Sequence, residues 1–330
     1  MKKTLTLILA LMLVLGSLPA ALAQDTIVLK LAMVDNETTP YYKGAAKIAE
    51  EVALATNGRI KIEINAGGTL GGERDTIDLA LDNALDIATA ANSVMTNYIP
   101  EMAILDQAYL WADANQAHAA VDGKVGDLIQ AAAKKLGLHV IGYMESGFRD
   151  TFSTKPIQKP EDFKGVKIRT MQNEYHMAAF ASFGAMPTPM SFNEVFTALQ
   201  QGTINAAENA VSGCLTNGYY EVTKNVTFTH HAFTYILMCM SDSAWNSIPE
   251  ELREPFMQAV KKGCDAQRNF LVESNNAAIE ELKTKGVAFH EIDISALQKL
   301  YQDAAAQKGF TFAPEWEKAC QEAIDANPVK

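Results

Sequence analysis

The chain has 330 residues, 48% of them hydrophobic and 20% charged, with a formal net charge of −11. That composition is globular, and the length suggests two domains. So acidic a chain is poorly suited to nucleic acid or to an anionic membrane surface.

Lys2 and Lys3 precede an apolar run from Leu5 to Leu15, and "ALA" (Ala21 to Ala23) supplies the small residues of a secretory cleavage site. A leader over residues 1–23 is therefore expected, with export to the periplasm and a mature chain more acidic still. No later apolar run reaches spanning length. Cys214, Cys239, Cys264 and Cys320 are too far apart for a zinc site or a disulfide scaffold. One or two bridges or free buried thiols are all compatible with an oxidising compartment.

"TIVLKLAMV" (Thr26 to Val34) alternates apolar residues as a strand does. "KGAAKIAEEVALAT" has helical spacing, with Asn57-Gly58 as its stop, and "RIKIEIN" (Arg59 to Asn65) alternates again. Together they predict a right-handed parallel crossover. "TIDLALDNALDIATAA" repeats the helix-to-strand theme, and "LHVIGYM" (Leu138 to Met144) adds a strand.

A second α/β unit is expected over roughly 147–234. "GVKIRT" (Gly165 to Thr170) reads as its short strand, followed by a helix from about Glu174 to Phe183. "SFNEVFTALQQG" has Ser191 and Glu194 in capping-box spacing. The methionines at 171, 177, 186 and 190 read as core filler. "HAFTYILMCMS" (His231 to Ser241) is a longer strand than one small sheet needs. Glu250 to Lys285 reads as a helix about 50 Å long, with Gly263 as the one place it could break. A helix of that length spans both units. "VAFHEID" and a helix from near Ile294 complete the second unit, so the expected division is 24–146 with 235–274, and 147–234 with 275–330.

Catalytic signatures are missing. There is no H-E-x-x-H, G-x-S-x-G or P-loop, and "GGTLGG" (Gly67 to Gly72) lacks the lysine of a phosphate cradle. His230 and His231 adjoin on a strand and point to opposite faces, so they cannot share a metal there. No metal or cofactor is expected. Arg169 stands near the carboxyl end of its strand, where ligands of open α/β sheets bind, unless it lies on a solvated sheet edge. Arg149 of "GFR" opens the same unit. A guanidinium matches a carboxylate with two parallel hydrogen bonds, which suits an acidic protein that must capture an anion.

From Gly147 to about Pro249 the chain resembles the solute-binding subunits of TRAP transporters, the DctP-like family, through "GFRDTFSTKPIQKPEDFKGVKIRT", "FGAMPTPMSFNEVFTALQQG", "AENA" and "EVTKNVTFTHHAF". "GGTLGGERD" and "LDQAYLW" extend the likeness upstream. The resemblance implies a two-lobed class II periplasmic-binding-protein fold of α/β type, with hinge strands and a long helix spanning both lobes. It also implies capture of a small organic acid by domain closure and delivery to small and large membrane subunits, by a monomer. Arg169 would then grip the carboxylate, with Arg149 in support and Asn209 donating to the same group. Phe192 would wall the ligand, His231 would line the site near the hinge, and Asn92, Glu73 and Tyr42 would close over the polar end. The family usually reads D-G-x-E-N-P where this chain has "NAAENA" (Asn205 to Ala210), which could reshape the pocket wall. "TAANSVMTN" lacks the acidic residue associated with sialate binders, leaving dicarboxylates, uronates and other hydroxy or keto acids. An enzyme on this scaffold would have only Glu73 and His231 to place against a substrate carbon. A ligand-loaded sensor subunit shares every feature above.

Overall fold

The computed structural model of the protein describes residues 26–329, so the expected leader lies outside the described residues. Strands β1 (Ile27–Ala32) and β2 (Ile60–Asn65) pair in parallel along their whole length, as the alternation predicts. Helix Pro40–Ala55 joins them, opened by proline and capped by Thr39, whose hydroxyl accepts the Tyr42 N–H. Helix Glu73–Leu81 leads into β3 (Ile87–Ala91), which lies parallel to β1. Among the described residues, no helix is long and apolar enough to cross a membrane.

β4 (Leu138–Ser153) is longer than the predicted strand. β5 (Lys167–Thr170), β6 (Met186–Pro189) and β7 (Ala206–Asn209) follow, then β8 (Asn225–Ser241) and β9 (Ala288–His290). The sheet runs β2-β1-β3-β8-β4-β7-β5-β6, with β9 on β8. Its middle is the antiparallel pair β4 and β8, and each of these strands begins in one lobe and ends in the other. Three register shifts interrupt that pair, at Val140/Gly142, Glu145/Gly147 and Arg149/Thr151. Such irregularities bend and twist a strand, and here they separate the lobes. The middle one is pinned: buried Gln267 accepts the Glu145 N–H and donates to the Glu145 carbonyl, both at 2.8 Å.

Each lobe has its own core. Leu31, Ile48, Ile87, Val140 and Met238 belong to the first. The second-lobe sheet is covered on both faces, by Phe152, Leu199, Ala207 and Val226 on one side and Phe163, Ile168, Phe180 and Ala206 on the other.

Helix Glu250–Thr284 is continuous over 35 residues. Phe256 and Val260 sit in the first core and Ala278 and Leu282 in the second, so the helix does span both lobes. It does not break at Gly263, because that glycine is a contact point. A Cβ there would lie 2.3 Å from Ile48 Cγ1 and 2.8 Å from Ile48 Cα, so its absence lets helix Pro40–Ala55 lie directly on the long helix.

The end of the chain differs from the expected division. Helix Ile294–Lys308 buries Leu297 and Tyr301 in the second lobe, but helix Pro314–Ala326 returns to the first. Its apolar stripe of Trp316, Ala319, Cys320 and Ala323 has helical spacing and joins the first core. The methionine expectation also fails in part. Met171 is buried, but Met186 is 54% exposed on the sheet-edge strand β6. All four cysteines are buried free thiols.

Candidate ligand-binding site

β5 is flanked by β6 and β7, so Arg169 lies on an interior strand and not on a sheet edge. Alternation puts Lys167 and Arg169 on one face, yet Lys167 is exposed while Arg169 is 3% exposed, because only the carboxyl end of the strand dips between the lobes. There Arg169 helps line a narrow buried cavity of about 30 Å³. Arg149, Asn209, Phe192 and Glu73 share that cavity with Asp35, Tyr41, Ser146, Met171 and Thr234.

The two arginines have different tasks. Arg149 spends all its donors on the protein. Its Nε and one terminal nitrogen grip the Glu208 carboxylate, and that same terminal nitrogen also reaches the Glu208 carbonyl at 2.7 Å. The other terminal nitrogen donates to Ser146 Oγ at 3.2 Å and to Asn209 Oδ1 at 3.0 Å. Arg169 is anchored only through Nε and one terminal nitrogen to the Met190 carbonyl, at 3.2 and 3.0 Å. Its remaining terminal nitrogen lies 3.6 Å from Glu208, too far for a good hydrogen bond, and still has N–H groups to offer. Burial lowers the pKa of Arg169 from its ordinary value, against the pull of Glu208, but a guanidinium stays charged at any working pH. Phe192 stands with its ring centroid 6.0 Å from the Arg169 guanidinium carbon.

Asn209 is oriented by what its oxygen accepts: Ser146 Oγ at 2.8 Å, Arg149 and the Ala210 N–H at 2.8 Å. The last donor exists because Ala210 replaces the family's proline, which has no N–H. With Oδ1 turned inward, the amide N–H₂ is the part of Asn209 left to donate. Thr234 adds a buried hydroxyl on the cavity wall that has no partner among the described residues.

Across the cleft, the first lobe presents acids. Glu73 opens its helix and accepts the Ala91 N–H at 2.9 Å, and burial raises its pKa. Asp35 follows β1; burial and then the Glu73 charge push it up to about 7. Burial would raise Glu208 too, but Arg149 and the His231 hydrogen bond hold its carboxyl well below the usual range.

Three expected residues do not reach the cavity wall. His231 sits behind Glu208, with Nε2 at 3.3 Å from it and Nδ1 at 2.9 Å from the Thr229 hydroxyl. Asn92 is fully buried: its amide donates to Asp106 and its oxygen accepts the Tyr235 N–H. Tyr42 packs on the first core while its neighbour Tyr41 lines the cavity, bonded to Ser146 Oγ at 3.0 Å. One helical residue is a 100° turn, enough to exchange the two rings.

Asp35, Glu208, Tyr41, Ser146 and Thr234 escaped the sequence reading. A charge count could have found Glu208, since two buried arginines require a carboxylate between them. The atoms of His176, Glu208 and His231 cluster closely enough to suggest a cation site. The Arg149 guanidinium already occupies Glu208, with Arg169 beside it, and that positive crowding disfavours a metal ion. His231 also has both ring nitrogens engaged, which leaves Glu73 alone of the enzyme candidates at the cavity.

Two lobes joined by hinge strands around a buried, half-spent guanidinium define a solute-binding protein. The profile of the bacterial extracellular solute-binding proteins of family 7, named DctP, matches residues 31–310, and the chain belongs to that family. It is 30% identical over 277 residues to the 2,3-diketo-L-gulonate-binding periplasmic protein YiaO of Escherichia coli K12, covering 84% of each chain. A TRAP periplasmic solute-binding protein of Xanthobacter autotrophicus Py2 with bound β-D-galacturonate superposes with a TM-score of 0.85 at 28% identity, covering 91% of this chain and all of the other. One from Polaromonas bound to D-erythronate gives 0.83 at 29% identity, covering 91% and 97%.

Proposed function

We propose that this protein is the periplasmic receptor of a TRAP transporter, taking up one small organic acid between its lobes and passing it to the small and large membrane subunits. Arg169 grips the carboxylate with its unspent N–H groups, the Asn209 amide donates to the same group, and Phe192 walls it. Glu73 accepts hydroxyl groups from the first lobe. Arg149 is the brace that holds Asn209 and Glu208 in place. The observation that carries this reading is the contrast between the two buried arginines, one saturated by protein and one not. The acids named for the similar proteins each pair a carboxylate with hydroxyl or keto oxygens, which suits a site with cationic and acidic sides.

Protein purified natively and then denatured should release an acid identifiable by mass spectrometry. Titration calorimetry on Arg169→Ala should show affinity for that acid lower by about two to three and a half decades, the cost of about 3–5 kcal/mol for unpairing a buried charge. Arg169→Lys keeps the charge but loses the fork, and should lose at least tenfold. Binding by Arg169→Lys equal to the parent's would overturn the assignment.

A further inference from the structure

The cavity counts its charges against its own ligand. Arg149 and Arg169 share one small buried space with two carboxyl groups, Asp35 and Glu73, and a third, Glu208, lies behind its wall against both guanidiniums. Glu208 is locked to Arg149. An incoming carboxylate on Arg169 adds a fourth acid to a site with two guanidiniums, in a medium where like charges repel far more than in water. Something has to give up its charge.

We propose that Asp35 gives it up: capture of the acid takes a proton from solvent onto the Asp35 carboxylate, and the neutral carboxyl stays in the closed cleft with the ligand. This rests on the reading above, that an organic acid binds at Arg169. Asp35 is the acid placed for the task. It is 6% exposed, and among the described residues no guanidinium or lysine lies within ion-pair distance of it and no other side chain donates to it, its own backbone N–H being its donor. Glu73 at least accepts the Ala91 N–H. The charged and titratable groups facing Asp35 are Glu73 at its helix start, Tyr41 on helix Pro40–Ala55, Arg149 on β4, and Tyr219 beyond the cleft, with Arg169 on the opposite wall and Glu208 behind it. Both tyrosines are raised further by burial and stay neutral. Burial and Glu73 already hold Asp35 at about 7 before any anion arrives, so a modest further push completes the protonation. The direction is fixed by sign. A ligand charge raises the pKa of Asp35, the complex holds more protons than the free protein, and affinity falls as pH rises.

The test is calorimetry at pH 7 in phosphate and in Tris, whose ionisation heats differ, with D-galacturonate, D-glucuronate, D-erythronate and succinate as probes. The tightest binder should take up about half a proton per site at pH 7, and the fall in its affinity should steepen above pH 7 towards about tenfold per unit until the loaded carboxyl itself ionises. Asp35→Asn should bind with no proton uptake and less than about twofold change from pH 6 to 9. Carbon-13 carboxyl shifts of Asp35 in the unaltered protein should titrate near 7 when free and higher when loaded, a check that needs no variant. Acid binding that depends on Arg169 but moves no proton would overturn this inference alone. So would a pH slope that survives Asp35→Asn and disappears in Glu73→Gln. A panel in which no acid binds would overturn the transport reading with it.

Discussion

Replacing Arg149 with alanine separates a brace from a ligand contact. In the native protein the Arg149 side chain makes five hydrogen bonds to Glu208, Ser146 and Asn209, all buried. Its removal leaves the Glu208 carboxylate, itself 1% exposed, with His231 and a distant Arg169. Breaking a buried ion pair from one side costs about 3–5 kcal/mol. At roughly 2–4 °C per kcal/mol for chains of a couple of hundred residues, the melting temperature should fall by about 6–20 °C, without any ligand present. The pH dependence carries a second signature. Native Glu208 has a depressed pKa, so its stabilising contribution is present above the unfolded value of about 4.3 and lost as pH falls through the native one. Without Arg149, burial raises that pKa instead, and the deficit of the variant should shrink on acidification from pH 7 to 4. Differential scanning calorimetry of unliganded protein at both pH values decides it. A variant that melts within about 2 °C of its parent at pH 7, yet no longer binds acid, would make Arg149 a ligand contact and refute the division of labour between the arginines.

Gly263→Ala should destabilise by about 1–3 kcal/mol through overpacking against Ile48, although alanine is the better helix former; an unchanged urea midpoint would contradict the contact. The four thiols, each pushed up to about 12 by burial, should be inert to a disulfide-exchange reagent in the native protein and all react in denaturant. His230, bonded through Nδ1 to Asp150 at 2.9 Å, should titrate above its ordinary value by NMR, and the shift should disappear in Asp150→Asn. Its contribution to stability, a fraction of a kcal/mol for a half-exposed pair, is present below pH 6.5 and lost as pH rises through the native pKa.

Periodicity made the crossover of β1 and β2, the strand carrying Arg169 and the long helix legible, because each obeys a single local rule over its length. The cavity depended on rules that act between lobes. Asn92 has the chemistry of a ligand donor, but buried Asp106 claims it, and no local signal links two residues 14 positions apart. Tyr41 and Tyr42 differ only in helical phase. Asp35 and Glu208 look like ordinary acids until the fold sets them against two arginines. Helix Pro314–Ala326 shows its amphipathic stripe plainly, but which lobe receives the stripe is decided by the vacant face beside Ala117 and Ile129.

The return of that last helix has a mechanical result. β4, β8, the long helix and the segment from Gly309 to Ala313 all tie one lobe to the other. Swivelling or sliding would stretch at least one of these four tethers, so a bend about the strand irregularities is the easy motion left. An unloaded receptor built this way keeps its two half-sites facing each other, and little of the energy of capture is consumed in finding the right alignment.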